Sequence, residues 1–206
     1  MNLAKVFFLS CIISFSINFK YLKAQSNTNL NVAFYTIDSL SNKLLKDTSN
    51  INNDLLLAWK YFPKEWVVFD SIYFKSNNDF YKLPKHFLMF SQGQKRLGTE
   101  NYYIGMCNLL VSINTRPDEL NIFIQSLYMK LISDNPVLFN KILERYHPLI
   151  KRRALNFIFY MNSPLDRIPS NIKTIKNKTP EFYFEIESII DSIYTKVRGV
   201  SSPNIH

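Results

Sequence analysis

The sequence has few of the residues on which turn-rich and disulfide-stabilised folds depend. Only 4 of its 206 residues are glycine and only 2 are cysteine. Few glycines argue against a β-rich fold with many tight turns. The motif His-Glu-x-x-His, the motif Gly-x-Ser-x-Gly and the glycine-rich phosphate loop are all missing from the sequence. We therefore predict no catalytic residue, no bound metal and no cofactor, and we expect the chain to be helical.

The first 24 residues differ in kind from the rest of the chain. Lys5 precedes an apolar run over residues 6–19, and Ala24 closes a short polar segment. This order is typical of a secretory signal peptide cleaved after Ala24. An uncleaved membrane anchor is one alternative, and a lipoprotein modified at Cys11 is another. The apolar run is short for the ~20 residues that a membrane span needs, so we favour cleavage and export.

Cleavage would leave a moderately basic chain that depends on its core for stability. It would remove three lysines and no acidic residue, so the net charge would fall from +9 to +6. Of the two cysteines only Cys107 would remain, and no intramolecular disulfide bond could form. We expect Cys107 to be a buried, inert thiol on an amphipathic segment. The hydrophobic content of 47% favours one domain with a sizeable core.

Three short amphipathic helices separated by prolines are predicted between residues 115 and 162. Their apolar faces comprise Leu120, Phe123, Ile124, Leu127 and Leu131; then Phe139, Ile142, Leu143 and Tyr146; then Ile150, Ala154, Phe157, Ile158 and Met161. Thr115 caps the first helix, and Asn135 with Pro136 begins the second. Pro148 ends the second helix. Helices this short bury little surface alone, so they must pack on one another.

Further helices are predicted on both sides of this region. They run from Ala33 to about Lys46–Asp47, from Asp54 through Trp59, from Pro63 through Tyr73, from Phe80 to Ser91, from Glu100 to Ile113, and from Pro180 to about Val197. Thr99 is expected to cap the Glu100 helix, and Gly93 to end the Phe80 helix in the left-handed region. A strand is the alternative over residues 66–74, which are rich in β-branched and aromatic side chains. The proline before this segment favours a helix.

These boundaries predict an all-α fold, either an irregular multi-helix bundle or a short HEAT-like stack of antiparallel helices. The segments are a signal peptide (1–24), a disordered N-terminus (25–31), a helical domain (32–162), a basic loop (163–179), a C-terminal helix docked on the same domain (180–197) and a tail (198–206).

One group of cations is a candidate ligand site. Its members are Lys151, Arg152, Arg153, Lys173, Lys176 and Lys178. Together they could bind an anionic polymer or lipid head groups. The alternative is a solvated helix face whose long side chains lie along apolar surface. We do not predict nucleic acid as a partner, because the charge is modest and no recognition motif is present.

The remaining polar and aromatic residues are assigned structural roles. No nucleophile or metal ligand lies at helical spacing from His86, His147 or His206, so each is expected to be structural or solvated. The aromatic residues expected in the core are Trp59, Trp66, Tyr102, Tyr103, Phe123, Phe139 and Phe157.

Three segments carry a resemblance to a known group of proteins. They are Leu22-Lys23-Ala24-Gln25, Trp59-Lys60-Tyr61-Phe62-Pro63 and Asn135-Pro136-Val137-Leu138-Phe139. In these segments the chain resembles uncharacterised exported helical proteins of Gram-negative bacteria. The helical part of the resemblance covers residues 55–162. The resemblance implies a fold and no assigned activity.

Three functional hypotheses follow. The first is a non-enzymatic interaction or scaffold module whose partner is another protein of the cell envelope. The second is a binding module for an anionic glycan or lipid, such as lipopolysaccharide, peptidoglycan or an acidic lipid. The third is an enzyme whose site is assembled across helices. The sequence does not set the oligomeric state.

Overall fold

The computed structural model describes residues 30–44, 51–75, 79–114, 121–160 and 168–200. Within these ranges the regular structure is helical and there is no strand, so the all-α prediction is confirmed. Helix α1 covers residues 30–44. The helices that follow are α2 (Ile51–Tyr61), α3 (Trp66–Asp70), α4 (Leu83–Gln92), α5 (Gln94–Leu97), α6 (Thr99–Ser112), α7 (Asn121–Asp134), α8 (Pro136–Leu143), α9 (Pro148–Phe159), α10 (Ser170–Lys173) and α11 (Pro180–Val200).

Irregular helical turns extend three of these helices. A π-helical turn, Ser71–Lys75, continues α3. A 3₁₀ turn, Asp79–Lys82, leads into α4, and another, Thr174–Asn177, follows α10. The aromatic and β-branched residues 66–74 are therefore helical, as the preceding proline indicated, and the strand alternative is wrong.

The chain divides into two compact units where the sequence predicted one helical domain over residues 32–162. The described part of unit 1 is residues 30–44, 51–63, 68–75 and 79–97. The described part of unit 2 is residues 64–67, 98–114, 121–160 and 168–200. Unit 2 includes α11, which packs on α9.

The core of unit 1 is a cluster of aromatic rings around Phe62. Its ring stacks on that of Trp59 at 5.4 Å between centroids, and it meets Phe87 and Phe90 edge-on at 5.4 and 4.9 Å. All four side chains are buried. Rings in these orientations add to the free energy gained by burying their area, so this cluster fastens the end of α2 to α4.

Gly93 is needed for close packing in unit 1 and not for a left-handed turn. Its φ is −86°, so the predicted left-handed cap is wrong. A Cβ at this position would collide with the side chain of Leu55 on α2. The left-handed glycine is Gly98, with φ of +80°, immediately before α6. Thr99 is therefore the first helical residue of α6 and not its cap.

The core of unit 2 is formed by α6, α7, α8, α9 and α11. Phe139 on α8 is fully buried and lies 6.5 Å from the ring of Tyr103 and 6.4 Å from that of Phe182. Tyr102, Tyr103, Phe157 and Trp66 of unit 2 are also buried, as predicted, and so is Trp59 of unit 1. Phe123 is the exception, because 38% of it is exposed.

The exposure of Phe123 follows from the rotation of α7. The buried residues of this helix are Ile124, Gln125, Tyr128, Leu131 and Ile132. Gln125 Nε2 donates to the Phe157 carbonyl at 2.8 Å, and the Tyr128 hydroxyl donates to the Met106 carbonyl at 2.8 Å. Gln125 and Tyr128 therefore face the core although each carries a polar group, and the spacing of apolar residues alone cannot indicate such positions.

The junctions around α8 confirm one prediction and correct another. Asn135 Oδ1 accepts a hydrogen bond from the Leu138 N–H at 3.1 Å, with Pro136 in the first turn, as predicted. However, α8 ends at Leu143, well before Pro148, so Tyr146 lies outside the helix. His147 caps α9 instead, and its Nδ1 accepts from the Leu149 N–H at 3.3 Å.

Several predicted boundaries move. Residues 30 and 31, expected to be disordered, are already helical. The predicted basic loop over residues 163–179 contains α10 and its 3₁₀ turn, because Ile172 and Ile175 are buried there. Helix α11 continues to Val200. Some predictions lie outside the described ranges: the signal peptide, the cap at Thr115, the helix end at Lys46–Asp47, Met161 and the residues after 200.

Candidate functional site

A polar cluster lies inside unit 1, and we call it the Asp38 cluster. Asp38 comes from α1, Tyr73 from the π turn, and His86 from α4. The cluster also contains Lys82, at the end of the 3₁₀ turn before α4, and Lys85, within α4. Tyr73 and His86 are fully buried. A π-helical turn and buried titratable groups both occur often at functional sites, so the Asp38 cluster is a candidate functional site.

The imidazole of His86 bridges a phenol and a carboxylate. The Tyr73 hydroxyl lies 2.9 Å from His86 Nδ1. His86 Nε2 lies 3.3 Å from Asp38 Oδ1. The ring of Phe34 packs at 5.9 Å from both the tyrosine and the histidine rings, so the bridge is enclosed by aromatic surface.

The direction of these hydrogen bonds follows from the charge states. Burial lowers the pKa of His86, although its hydrogen bond to the Asp38 carboxylate opposes this, so the ring is neutral at pH 7. Burial raises the pKa of Tyr73, so its hydroxyl stays protonated. A carboxylate can only accept, so His86 Nε2–H must donate to Asp38 and Nδ1 must accept from the Tyr73 O–H. The chain of donation runs from Tyr73 through His86 to Asp38.

Two lysines also contact the Asp38 carboxylate. Lys82 Nζ lies 3.2 Å from Oδ2 and Lys85 Nζ lies 3.3 Å from Oδ1. Burial alone would raise the pKa of Asp38, but the hydrogen bonds from His86, Lys82 and Lys85 outweigh it and lower that pKa. Asp38 is therefore an anion, and the ammonium of Lys82 also lies 4.9 Å from the Phe34 ring centroid.

The Asp38 cluster has the order of groups found in a nucleophile–base–acid triad, but a substrate could not reach its hydroxyl. Catalysis requires the hydroxyl to reach a substrate, and the Tyr73 phenol has no exposed surface. Its pKa is raised, which is the wrong direction for a nucleophile. In this arrangement the cluster ties α1, the π turn and α4 together. The structural role predicted for His86 fits this geometry, and its solvated alternative is wrong.

Sequence reasoning missed this cluster because its members lie far apart in the chain. Asp38 and His86 are 48 residues apart. One signal was present: His86 lies at helical spacing between Leu83 and Phe90, on the apolar face of α4. A polar residue on such a face must find a buried partner.

Two members of the predicted cationic patch make contacts within unit 2. Lys151 on α9 pairs with Glu185 on α11 at 2.7 Å and lies 5.6 Å from the Phe182 ring. Arg153 Nη2 donates to the Val111 carbonyl at 2.7 Å, in the last turn of α6. A cation at a helix C-terminus satisfies a free carbonyl and the helix dipole, so Arg153 has a structural role. Lys151 also has one, because its ion pair joins α9 to α11.

No ion pair or hydrogen bond within the described part of the chain engages the other four side chains. Arg152, Lys173, Lys176 and Lys178 are all exposed. Residues 141–178 contain nine lysines and arginines against two acidic residues, a net charge of +7 out of the +9 of the whole chain. The basic character of the protein is therefore concentrated in this part of unit 2.

Other candidate groups fit structural roles or give no site. Cys107 is fully buried, as expected, and burial raises the pKa of its thiol to about 12. Across the described residues no group of three or more histidine, cysteine or acidic side chains is placed to hold a metal ion. Among the described helices, none is long and apolar enough to cross a membrane.

Comparison of the chain with protein-family models, with curated proteins and with solved structures found no match.

Proposed function

We propose that this chain is an exported, non-enzymatic helical module of the cell envelope that acts by binding another envelope protein. The observation that carries the proposal is the outer face of α2. Leu56, Leu57 and Tyr61 are exposed to 49%, 43% and 39%, and Leu57 and Tyr61 lie one helical turn apart. We call these three residues the α2 face.

The α2 face is apolar on a helix whose other side is already buried. Leu55, Ala58 and Trp59 face the core of unit 1. A helix that needs only to pack on its own unit has a polar outer side. Contiguous exposed apolar residues are typical of a protein-binding surface, and tyrosine is often among the residues that contribute most to binding.

A non-enzymatic role is supported by the setting of the reactive side chains. Tyr73, His86 and Cys107 are fully buried. Burial raises the pKa of the phenol and of the thiol and lowers that of the imidazole. Each change favours the neutral form, which suits a core more than it suits a nucleophile.

The experiment is a crosslinking pull-down of the tagged protein from the envelope of its native host. The test variant is Leu56→Ser with Leu57→Ser. The matched control is Leu88→Ser with Leu149→Ser, which replaces two exposed leucines outside the α2 face. Circular dichroism establishes that both variants are folded.

We expect one reproducible envelope protein with the wild type and the control, and at least a tenfold lower recovery with the test variant. This corresponds to about 1.4 kcal/mol of lost binding free energy. Equal recovery from both variants would remove the α2 face from the proposal. Specific turnover of an envelope substrate by the purified protein would contradict the non-enzymatic role. Sequencing of the mature N-terminus tests export separately, and we expect it to begin at Gln25.

A second candidate function is the binding of an anionic envelope component, either a glycan or an acidic lipid. The observation that favours it is the concentration of exposed cations within residues 141–178 of unit 2. Binding that rests on these charges should weaken as salt is added, because counterions screen exposed charges. Salt-insensitive binding, or no binding to any polyanion, would contradict it.

A further inference from the structure

Three lysines on the surface of unit 2 are held in place by a buried apolar anchor. Ile172 and Ile175 are fully buried, which fixes α10 and its 3₁₀ turn on the unit. Lys173 and Lys176 follow these isoleucines and are exposed. Residues three apart lie on the same side of such a segment, so Lys173 and Lys176 extend from one side of it. Lys178 is exposed in the turn that follows.

An exposed aromatic ring lies directly beside one of these lysines, Lys176. Lys176 Nζ is 5.4 Å from the ring centroid of Phe184 and 5.4 Å from that of Tyr183, both on α11. Phe184 is 52% exposed, whereas Tyr183 is buried. An ammonium over an aromatic face is weakly attracted to it, so Lys176 and Phe184 present one charged and one apolar group at the same place.

The charges of these lysines are not neutralised within the described part of the chain. Lys151 pairs with Glu185 and Arg145 pairs with Glu100, each at 2.7 Å. Among the described residues, Lys173, Lys176 and Lys178 have no such acidic partner. This part of the surface is therefore a fixed positive edge with an apolar ring, and we call Lys173, Lys176, Lys178 and Phe184 the basic edge.

We infer that the basic edge binds the surface of a bilayer that contains anionic phospholipid. This rests on the second candidate function above and narrows its ligand. The lysines would contact lipid phosphates, and Phe184 would enter the boundary between head groups and acyl chains. A soluble polyanion would pair with the lysines equally well but would provide no apolar region for the Phe184 ring. The exposed ring is therefore an argument for a bilayer. Each lysine near an anionic surface strengthens binding by about fivefold.

The test is cosedimentation of the full chain with vesicles of phosphatidylcholine alone or of phosphatidylcholine with phosphatidylglycerol. The main variant is Lys173→Gln with Lys176→Gln and Lys178→Gln. Its matched control is Lys60→Gln with Lys95→Gln and Arg96→Gln, which removes the same charge from exposed positions of unit 1. All chains keep the same N-terminal apolar run, so differences between them report on the substituted residues.

We expect the wild type to prefer phosphatidylglycerol vesicles, and the main variant to lose roughly 100-fold in partitioning into them. The control should stay near the wild type. Phe184→Ser should lower the binding that remains at high salt, where screening has weakened the contribution of the lysines. Equal losses in the two triple variants would overturn the inference, because binding would then depend on net charge alone.

Two further outcomes separate this inference from the function on which it rests. Binding to dextran sulfate that needs the three lysines, without preference for phosphatidylglycerol vesicles, would overturn the bilayer inference and leave anion binding standing. Failure to bind either probe would overturn both.

Discussion

Units 1 and 2 bury their polar side chains in different ways. In unit 1 the buried Tyr73 and His86 belong to a charged network, whose anion, Asp38, is partly exposed and is held by His86 and by two lysines. In unit 2 the buried hydroxyls of Tyr103 and Tyr128 are neutral and donate to the backbone carbonyls of Leu131 and Met106. A neutral donor on a carbonyl costs little to bury, whereas a carboxylate must keep every partner. We therefore expect unit 1 to depend on protonation and unit 2 to be largely independent of it.

The apolar cores should not differ in this way, and their variants should have the largest effects. Phe62→Ala in unit 1 and Phe139→Ala in unit 2 should each lower the free energy of unfolding by about 3–5 kcal/mol, because each removes a fully buried ring. Urea denaturation measures both. Phe184→Ala is the control, and we expect less than about 0.5 kcal/mol from this exposed ring. A loss below about 1 kcal/mol for Phe139→Ala would mean that its ring does not fill the core.

The charged network gives the next largest effect. Asp38→Asn should cost about 1–3 kcal/mol in urea denaturation, because Lys82, Lys85 and the His86 ring lose their shared anion. The contrasting variant in unit 2 is Asp134→Asn, which breaks the exposed pair with Lys130 at 2.9 Å. Exposed pairs contribute little, so we expect less than about 0.5 kcal/mol there. Equal losses would contradict the difference between the two units.

A single neutral hydrogen bond should matter less. Tyr128→Phe removes the donor to the Met106 carbonyl and keeps the ring. We expect it to lower the free energy of unfolding by about 1 kcal/mol, with the same loss at pH 5.5 and pH 7.5. Thermal unfolding at the two pH values checks this. A loss that grew on acidification would show that unit 2 also contains a network sensitive to protons.

The smallest expected effect is a change in pH slope. The folded pKa of His86 lies below its ordinary value, so the unfolded chain binds the proton more readily. The contribution of His86 to stability is therefore fully present above a pH of about 6.5 and is lost as the pH falls toward the folded pKa. His86→Gln should flatten this part of the profile. A His86→Gln profile parallel to that of the wild type would contradict the assignment.

Local features of the fold were predictable from sequence because their causes are local. The cap at Asn135, the helices predicted from Glu100 and from Pro180, and the all-helical class all follow from residue types and spacing within one segment. Gly93 shows the limit: its neighbours in sequence indicated a left-handed cap, but the collision with Leu55 on another helix explains why a glycine is there. The sequence therefore marked Gly93 as a special position but indicated the wrong cause.

The candidate sites were less predictable, for two physical reasons. The Asp38 cluster joins residues 48 positions apart, and no periodicity connects them. The cationic patch was defined by proximity in sequence, but a charge is available only where the fold leaves it unpaired. Lys151 pairs with Glu185 on α11 and Arg153 donates to a carbonyl of α6, so the remaining four cations are the members left to bind a ligand.

The most direct test of the proposed difference between the units is a measurement of the protons on His86. Nitrogen-15 NMR at pH 7 distinguishes the neutral tautomers of imidazole from the cation. We predict a neutral ring with the proton on Nε2 and an unprotonated Nδ1, since Nε2 faces Asp38 and Nδ1 faces the Tyr73 hydroxyl. A cationic ring at pH 7, or a proton on Nδ1, would contradict the direction of the hydrogen-bond chain and the origin of the acid sensitivity of unit 1.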